Sequence, residues 1–218
     1  GGEGNKGGRG DELRGGKGRG VGQQAGKCGA AVADANTDEA GKKGTGRWTA
    51  RNALDPGVPL TGITEAVFAR VLSAQRKIRT EASAVLIAPD VKTRKAEPAD
   101  VAAIGQALYA SKIVAYSQGF EQLAAASKEY KWELKLDEVA KIWRGGCIIR
   151  AKLLDRIREA YGDGKPVKSL LLESFFSEAV NKAVPAWRLV VADAVANGIP
   201  IPAFSSSLSY FDGLRRER

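Results

Sequence analysis

The sequence contains no histidine. That absence removes the commonest general base, the Ser-His and Cys-His nucleophile pairs and the usual imidazole metal ligand, leaving Lys, Asp, Glu, Tyr or Cys for any catalysis. Methionine is missing too, even at position 1, as expected of a fragment, a processed product or a translation that begins partway through a gene. The two cysteines, Cys28 and Cys147, are too few and in contexts too unlike for a disulfide framework or a zinc cluster. No stretch reaches the roughly 18 apolar residues of a membrane span, and the N-terminus lacks the apolar core of a signal peptide. The expectations are a cytoplasmic chain, with a plastid as the alternative, and no metal or membrane partner.

What is present divides near residue 40. Of the first 30 residues, 13 are glycine, and Leu13 and Val21 are almost the only large apolar side chains there. Such a segment cannot bury enough surface to offset the entropy of ordering it, so residues 1–39 are read as a glycine-rich segment, disordered or mistranslated. Its Arg9-Gly10-Asp11 and Arg14-Gly15-Gly16 strings are what chance yields in a Gly/Arg-rich tract. Residues 40–218 read as a folded body. A net charge of +9 attracts anions, with nucleic acid, anionic lipid and phosphorylated metabolites as the candidate classes.

The body is patterned for helices. Ile63, Val67, Phe68, Val71 and Leu72 recur at spacings of three and four, a stripe bounded upstream by Pro59 and Gly62. Glu97-Pro98-Ala99-Asp100 announces a longer helix, with Pro98 suited to a first turn. Its apolar positions include Val101, Ile104, Leu108, Ile113, Phe120 and Leu123, interleaved with small residues, the pattern of a helix packed on several sides. A further helix is expected from about Asp137 to Ala160, with Gly145-Gly146 inside it and tolerated for packing. Gly162-Asp163-Gly164 and Pro166 force a turn. Helices follow at Leu170–Asn197, with Pro185 as a kink, and from Ala203 to about Arg215. No alternating strand pattern is sustained, and the fold class is all-α, a multi-helix bundle-like domain.

The first segment that looks like chemistry is Lys43-Gly44-Thr45-Gly46-Arg47-Trp48-Thr49. Two glycines let the backbone approach a bound group, and Lys43 and Arg47 supply the charge a phosphate needs, although on local grounds a solvated basic turn is the favoured reading. Taken with Ile63-Thr-Glu-Ala-Val-Phe-Ala-Arg70, Ala107-Leu-Tyr-Ala-Ser-Lys-Ile-Val114, Ile142-Trp-Arg-Gly-Gly-Cys-Ile-Ile-Arg150 and Gly198-Ile-Pro-Ile-Pro-Ala-Phe-Ser205, in that order, it resembles the C-terminal helical domain of the 6-phosphogluconate dehydrogenase family. The resemblance covers about residues 40–218.

It implies NADP-dependent oxidation and decarboxylation of 6-phosphogluconate to ribulose 5-phosphate and CO2 in the pentose phosphate pathway, by a homodimer whose helical domain forms the subunit interface. In that family the lysine opening Lys-Gly-Thr-Gly and the arginine closing Phe-Ala-Arg hold the substrate phosphate, which assigns Lys43 and Arg70 here. An ammonium and a planar guanidinium converging on a dianion suit that task. Arg47, where the family usually carries lysine, is not assigned. Trp143, Arg144, Cys147 and Arg150 are read as core and interface residues, with Cys147 a small buried side chain.

The departures from the family matter equally. Its catalytic lysine and glutamate lie on a helix upstream of Lys-Gly-Thr-Gly, where this chain has the glycine-rich head, so no catalytic residue is assigned. Nor does a hydrophobic strand precede Gly15-Gly-Lys-Gly-Arg-Gly20, so a dinucleotide loop is not read there. The family's tail, with a phosphate-binding arginine and histidine, is expected beyond Arg218. The chain alone is therefore expected to be inactive. Two other classes stay open: a helical dimerisation module without a ligand site, and a basic RNA-binding protein using the Gly/Arg head, whose 6 Lys/Arg against 3 Asp/Glu in residues 1–30 make nucleic acid the weaker candidate.

Overall fold

Proline and glycine set most of the helix boundaries. The computed structural model describes residues 39–218 except 41–43, 92–94, 148 and 165 and the side chain of Asp163. The segment expected to be disordered, 1–39, lies outside the described residues except for Glu39. The described residues form α1 (Gly44–Leu54), α2 (Thr61–Ser73), α3 (Arg76–Ser83), α4 (Pro98–Glu129), α5 (Leu136–Gly145), α6 (Leu153–Tyr161), α7 (Ser174–Ala196) and α8 (Pro202–Leu214). Short 3-10 turns occupy Gly162–Gly164 and Leu170–Leu172. No strand occurs among the described residues, and the fold is all-α as the sequence pattern implies.

The core is built around α4. Pro98 sits in its first turn, and the Asp100 carboxylate accepts the Glu97 N–H at 2.8 Å, supplying one of the partners that a helix start leaves open. From Ala107 to Ala126 the helix turns inward. Ala107, Ala110, Ile113, Val114 and Phe120 are fully buried, and the two alanines leave room for α7, the helix α4 contacts most extensively. Trp187 and Phe176 of α7 and Leu154 and Ile157 of α6 complete the same cluster. The Phe120 ring meets Trp143 edge-on at 5.3 Å and stacks on Tyr161 at 5.4 Å, tying α5 and α6 to α4.

Several expectations need correction. The helix read across Gly145-Gly146 is two helices. Gly145 ends α5, and the chain resumes helix only at Leu153. The freed Trp143 carbonyl accepts the Arg150 N–H at 3.2 Å and the Cys147 thiol at 3.2 Å, and Arg150 takes a left-handed conformation with φ 44°. The weak helix propensity of paired glycines thus ends the helix rather than being carried inside it. Cys147 is only half-buried, Arg150 is exposed, and Arg144 pairs with Asp155 at 3.0 Å, so of that motif Trp143 packs against the core. Leu170–Leu172 forms a separate 3-10 turn, capped by the Ser169 hydroxyl, and α7 starts at Ser174 and passes through Pro185 without breaking. Helix α3 was not foreseen. On α2, Ile63, Val67 and Val71 are half-buried, whereas Phe68 and Leu72 of the same stripe are exposed.

Helices α7 and α8 are clamped by charge. The Arg188 guanidinium donates to both oxygens of Asp212, and Arg215 donates to the same carboxylate at 2.9 Å. The hydrogen bonds from Arg188, helped by Arg215 and opposed by burial, hold the Asp212 carboxyl down from 3.8 to about 2. A carboxyl with a depressed folded-state value stabilises the fold above its unfolded value and loses that contribution as pH falls through the folded one. Stability should therefore fall between about pH 4 and about pH 2 through this group. Asp212→Asn should flatten that part of an acid-unfolding curve and cost about 1 kcal/mol at neutral pH; an unchanged acid limb in urea denaturation across that range would contradict the assignment.

Candidate functional site

The two assigned phosphate residues belong to α2 and to the chain entering α1. Gly44, Thr45 and Gly46 are not a loop. They form the first turn of α1, and Lys43 lies outside the described residues. This helix start carries no acidic side chain in its first turn. Its leading N–H groups have no partner within the helix and carry the positive end of its dipole, an arrangement suited to an anion.

Close packing brings that helix start to α2. A Cβ at Gly46 would stand 2.9 Å from Cγ2 of Val67, nearer than side chains approach one another, so only glycine lets α1 come this close. At the other end of α2 the Ala40 N–H donates to the Ser73 hydroxyl at 2.9 Å. The chain therefore touches α2 at Ser73 and again at Val67, and Arg70 lies between those two points on the helix. Arg70 is exposed, in the last turn of α2. Arg47, also exposed, follows within the first turns of α1.

Behind this pair of helices lies a polar seam on α4 that sequence reasoning missed. Gln118, fully buried, accepts the Gly62 N–H at 3.0 Å and donates to the Thr61 hydroxyl at 2.9 Å. One turn on, Gln122 donates to the Thr49 carbonyl at 2.8 Å and to the Asn52 side chain at 3.1 Å, and Asn52 donates to the Tyr130 hydroxyl at 3.2 Å. On the neighbouring face Glu121 accepts from Ser117 at 2.8 Å and from Tyr210 of α8 at 3.2 Å, while Ser117 also meets Ser169 at 3.0 Å. The available signal was the cluster Ser117, Gln118, Glu121 and Gln122 inside a helix otherwise read as packed on several sides, where polar groups must be satisfied internally.

The tyrosines near this seam stay protonated at neutral pH. Burial, followed by the Glu121 carboxylate, pushes both Tyr161 and Tyr210 well above the ordinary phenol value, and burial does the same to Tyr116 with Cys147 adding to it. They can donate hydrogen bonds and are not bases. Among the described residues no group of three or more His, Cys, Asp or Glu side chains could hold a metal ion, and no helix is long and apolar enough to cross a membrane.

These features define an all-helical domain in which the start of α1 packs against the helix that carries Arg70. Residues 20–218 match the 6-phosphogluconate dehydrogenase C-terminal domain. The "6-phosphogluconate dehydrogenase, NADP(+)-dependent, decarboxylating" of Bacillus subtilis is 49% identical over 191 residues, which are 87% of this chain and 40% of that protein. The decarboxylating 6-phosphogluconate dehydrogenase 1 of Saccharomyces cerevisiae is 49% identical over 183 residues, 83% of this chain and 37% of the relative. Among solved structures, a Plasmodium falciparum 6-phosphogluconate dehydrogenase, studied apo and with its cofactor NADP+ and its substrate 6-phosphogluconate, superposes with a TM-score of 0.80 at 38% identity, covering 87% of this chain and 41% of that one. The chain belongs to the 6-phosphogluconate dehydrogenase family and spans about two fifths of the length of these relatives.

The cofactor in those names is a dinucleotide, whose pyrophosphate is cradled by a strand, a glycine turn and a helix start. The described residues contain no strand and so do not fit that group.

The closeness of α1 and α2 can be tested directly. Gly46→Ala should destabilise the chain by about 1–3 kcal/mol, because the stiff Val67 side chain cannot yield. Gly105→Ala, on an exposed part of α4 with nothing near its Cβ position, should stabilise it by about 1 kcal/mol through helix propensity. Urea unfolding of the pair reads both signs, and equal effects would refute the packing account.

Proposed function

We propose that this chain is the substrate-phosphate-binding and subunit-pairing part of an NADP-dependent, decarboxylating 6-phosphogluconate dehydrogenase, with Lys43 and Arg70 on the phosphate of 6-phosphogluconate. The observation that supports this reading is the placement of Arg70 between the two points, Ser73 and Val67, at which the chain before and within α1 touches α2. A guanidinium beside an acid-free helix start offers a dianion both a forked donor and convergent N–H groups. The described residues hold no imidazole base and no dinucleotide cradle, so in this reading the chain binds substrate without oxidising it. The expected readout is protection against thermal unfolding by 6-phosphogluconate. Removal of one charge-assisted contact by Arg70→Ala or Lys43→Ala should weaken that affinity by about tenfold or more, and protection that survives both substitutions would overturn the assignment.

Subunit pairing is supported by α4. Its first nine residues, 98–106, contain no buried side chain, and Val101, Ile104 and Leu108 form one stripe that is 62%, 49% and 54% exposed. Two to three turns of helix are marginal alone in water, and an apolar stripe on them calls for a covering surface. Ile104→Lys combined with Leu108→Lys should convert a dimer to a monomer in sedimentation analysis while leaving the far-ultraviolet helix signal. A wild-type chain that sediments as a monomer at micromolar concentration would count against pairing through this face.

A further inference from the structure

We infer that Gln118 and Gln122 are positioning residues for the phosphate site, setting the distance between the start of α1 and Arg70 without touching substrate; this rests on the phosphate reading above. Four successive facts carry the inference. First, α2 begins without a cap of its own: Leu60 stands at the N-cap and has no side-chain acceptor to offer. Gln118 supplies that acceptor from another helix. Its Oε1 takes the Gly62 N–H at 3.0 Å, and its Nε2 reaches the Thr61 hydroxyl at 2.9 Å.

Second, the contact is sealed. Gln118 is 0% exposed, and a Cβ at Gly62 would lie 3.3 Å from both Gln118 Oε1 and Ser207 Oγ, so α2 is pressed onto α4 and α8 at this residue. Third, Gln122 lies four residues along α4, hence on the same face, and grips α1 by the Thr49 carbonyl and the Asn52 side chain. Thr49 is itself bonded back to Thr45 within the first turn of α1 by its hydroxyl at 2.9 Å. Fourth, helices transmit position along their length. Arg70 stands eight residues beyond Gly62, about 12 Å along α2, and Gly44–Gly46 lie within about 8 Å of Thr49 along α1. The two glutamines therefore fix α1 and α2 to one rigid face of α4, and with them the two halves of the proposed anion site. The Gly46 and Val67 contact alone permits closeness, but not a defined axial register between the two helices.

The alternative is that these glutamines only add stability, like any satisfied buried amide. The test separates the two with the 218-residue chain and 6-phosphogluconate as titrant, read by calorimetry well below the unfolding midpoint. Gln118→Leu and Gln122→Leu should each weaken binding on the order of tenfold, since a phosphate clamp tolerates little misplacement. Gln118→Glu keeps the acceptor for the Gly62 N–H and should recover most of the affinity lost in Gln118→Leu. A core substitution remote from both helices, Ile157→Val or Ile157→Ala on α6, chosen to lower the melting temperature equally, should leave binding unchanged. Should Gln118→Leu not fold, Gln122→Leu and Asn52→Ala carry the measurement at the less enclosed end of the seam. Wild-type binding that both leucine variants retain, or that the matched α6 variant loses to the same degree, overturns this inference while leaving the phosphate reading in place. No binding by the wild-type chain overturns both.

Discussion

The middle of α4 is enclosed by other helices, and Ser117, Gln118, Glu121 and Gln122 find their partners inside the protein, whereas the buried Ser111 hydroxyl has none. Burying an amide or hydroxyl without a hydrogen bond costs more than a made bond returns, so the arrangement around Ser117, Gln118, Glu121 and Gln122 is close to all-or-none. Each partner comes from a different piece of chain: Gly62 and Thr61 from α2, Thr49 and Asn52 from α1, Tyr210 from α8, and Ser169 from the turn before α7. Apolar packing on the opposite side, centred on Trp187, Phe176 and Phe120, supplies most of the free energy but little direction. The polar seam supplies direction. Rotating α4 by one residue, about 100°, would separate Gln118 and Gln122 from these partners.

Helices with strong punctuation were legible in the sequence. Pro98 falls in a first helical turn and the start of α2 follows Pro59, both as expected, while α8 opens at Pro202, one residue before the expected Ala203. The paired glycines at 145–146 were not legible, because glycine inside a helix and glycine at its end look alike along the chain. What decides between them is a three-dimensional fact, that Arg150 and Cys147 turn back to take the Trp143 carbonyl. The anchoring role of Gln118 and Gln122 escaped for a related reason. Their partners lie 56 to 73 residues away, and no local pattern announces a cap supplied by another helix.

The exposed stripe on α4 illustrates a different limit. Patterning grouped Val101, Ile104 and Leu108 with Ile113 and Phe120 as apolar positions of one helix packed on several sides, whereas the first three are exposed and the last two buried. The second set packs in the core cluster with α7 and α6, and the first set stays about half exposed among the described residues. Hydrophobic patterning states that a surface is to be removed from water; whether the covering surface belongs to the same chain or to another depends on topology.

A chain without histidine constrains how an anion site of this kind responds to pH. Lysine and arginine side chains keep their charge throughout the neutral range, and a helix start does not titrate at all. The buried tyrosines around Glu121 are pushed upward, away from neutrality, and Asp212 is pushed downward. No described group with a resolved shift therefore changes charge between mild acid and mild base. A phosphate monoester does, gaining its second negative charge near pH 6. On the phosphate reading proposed above, affinity would rise as the phosphate becomes a dianion. What the protein would control for a sugar phosphate on that reading is the separation of α1 from α2, and the bonds from α4 to both helices bear on that separation.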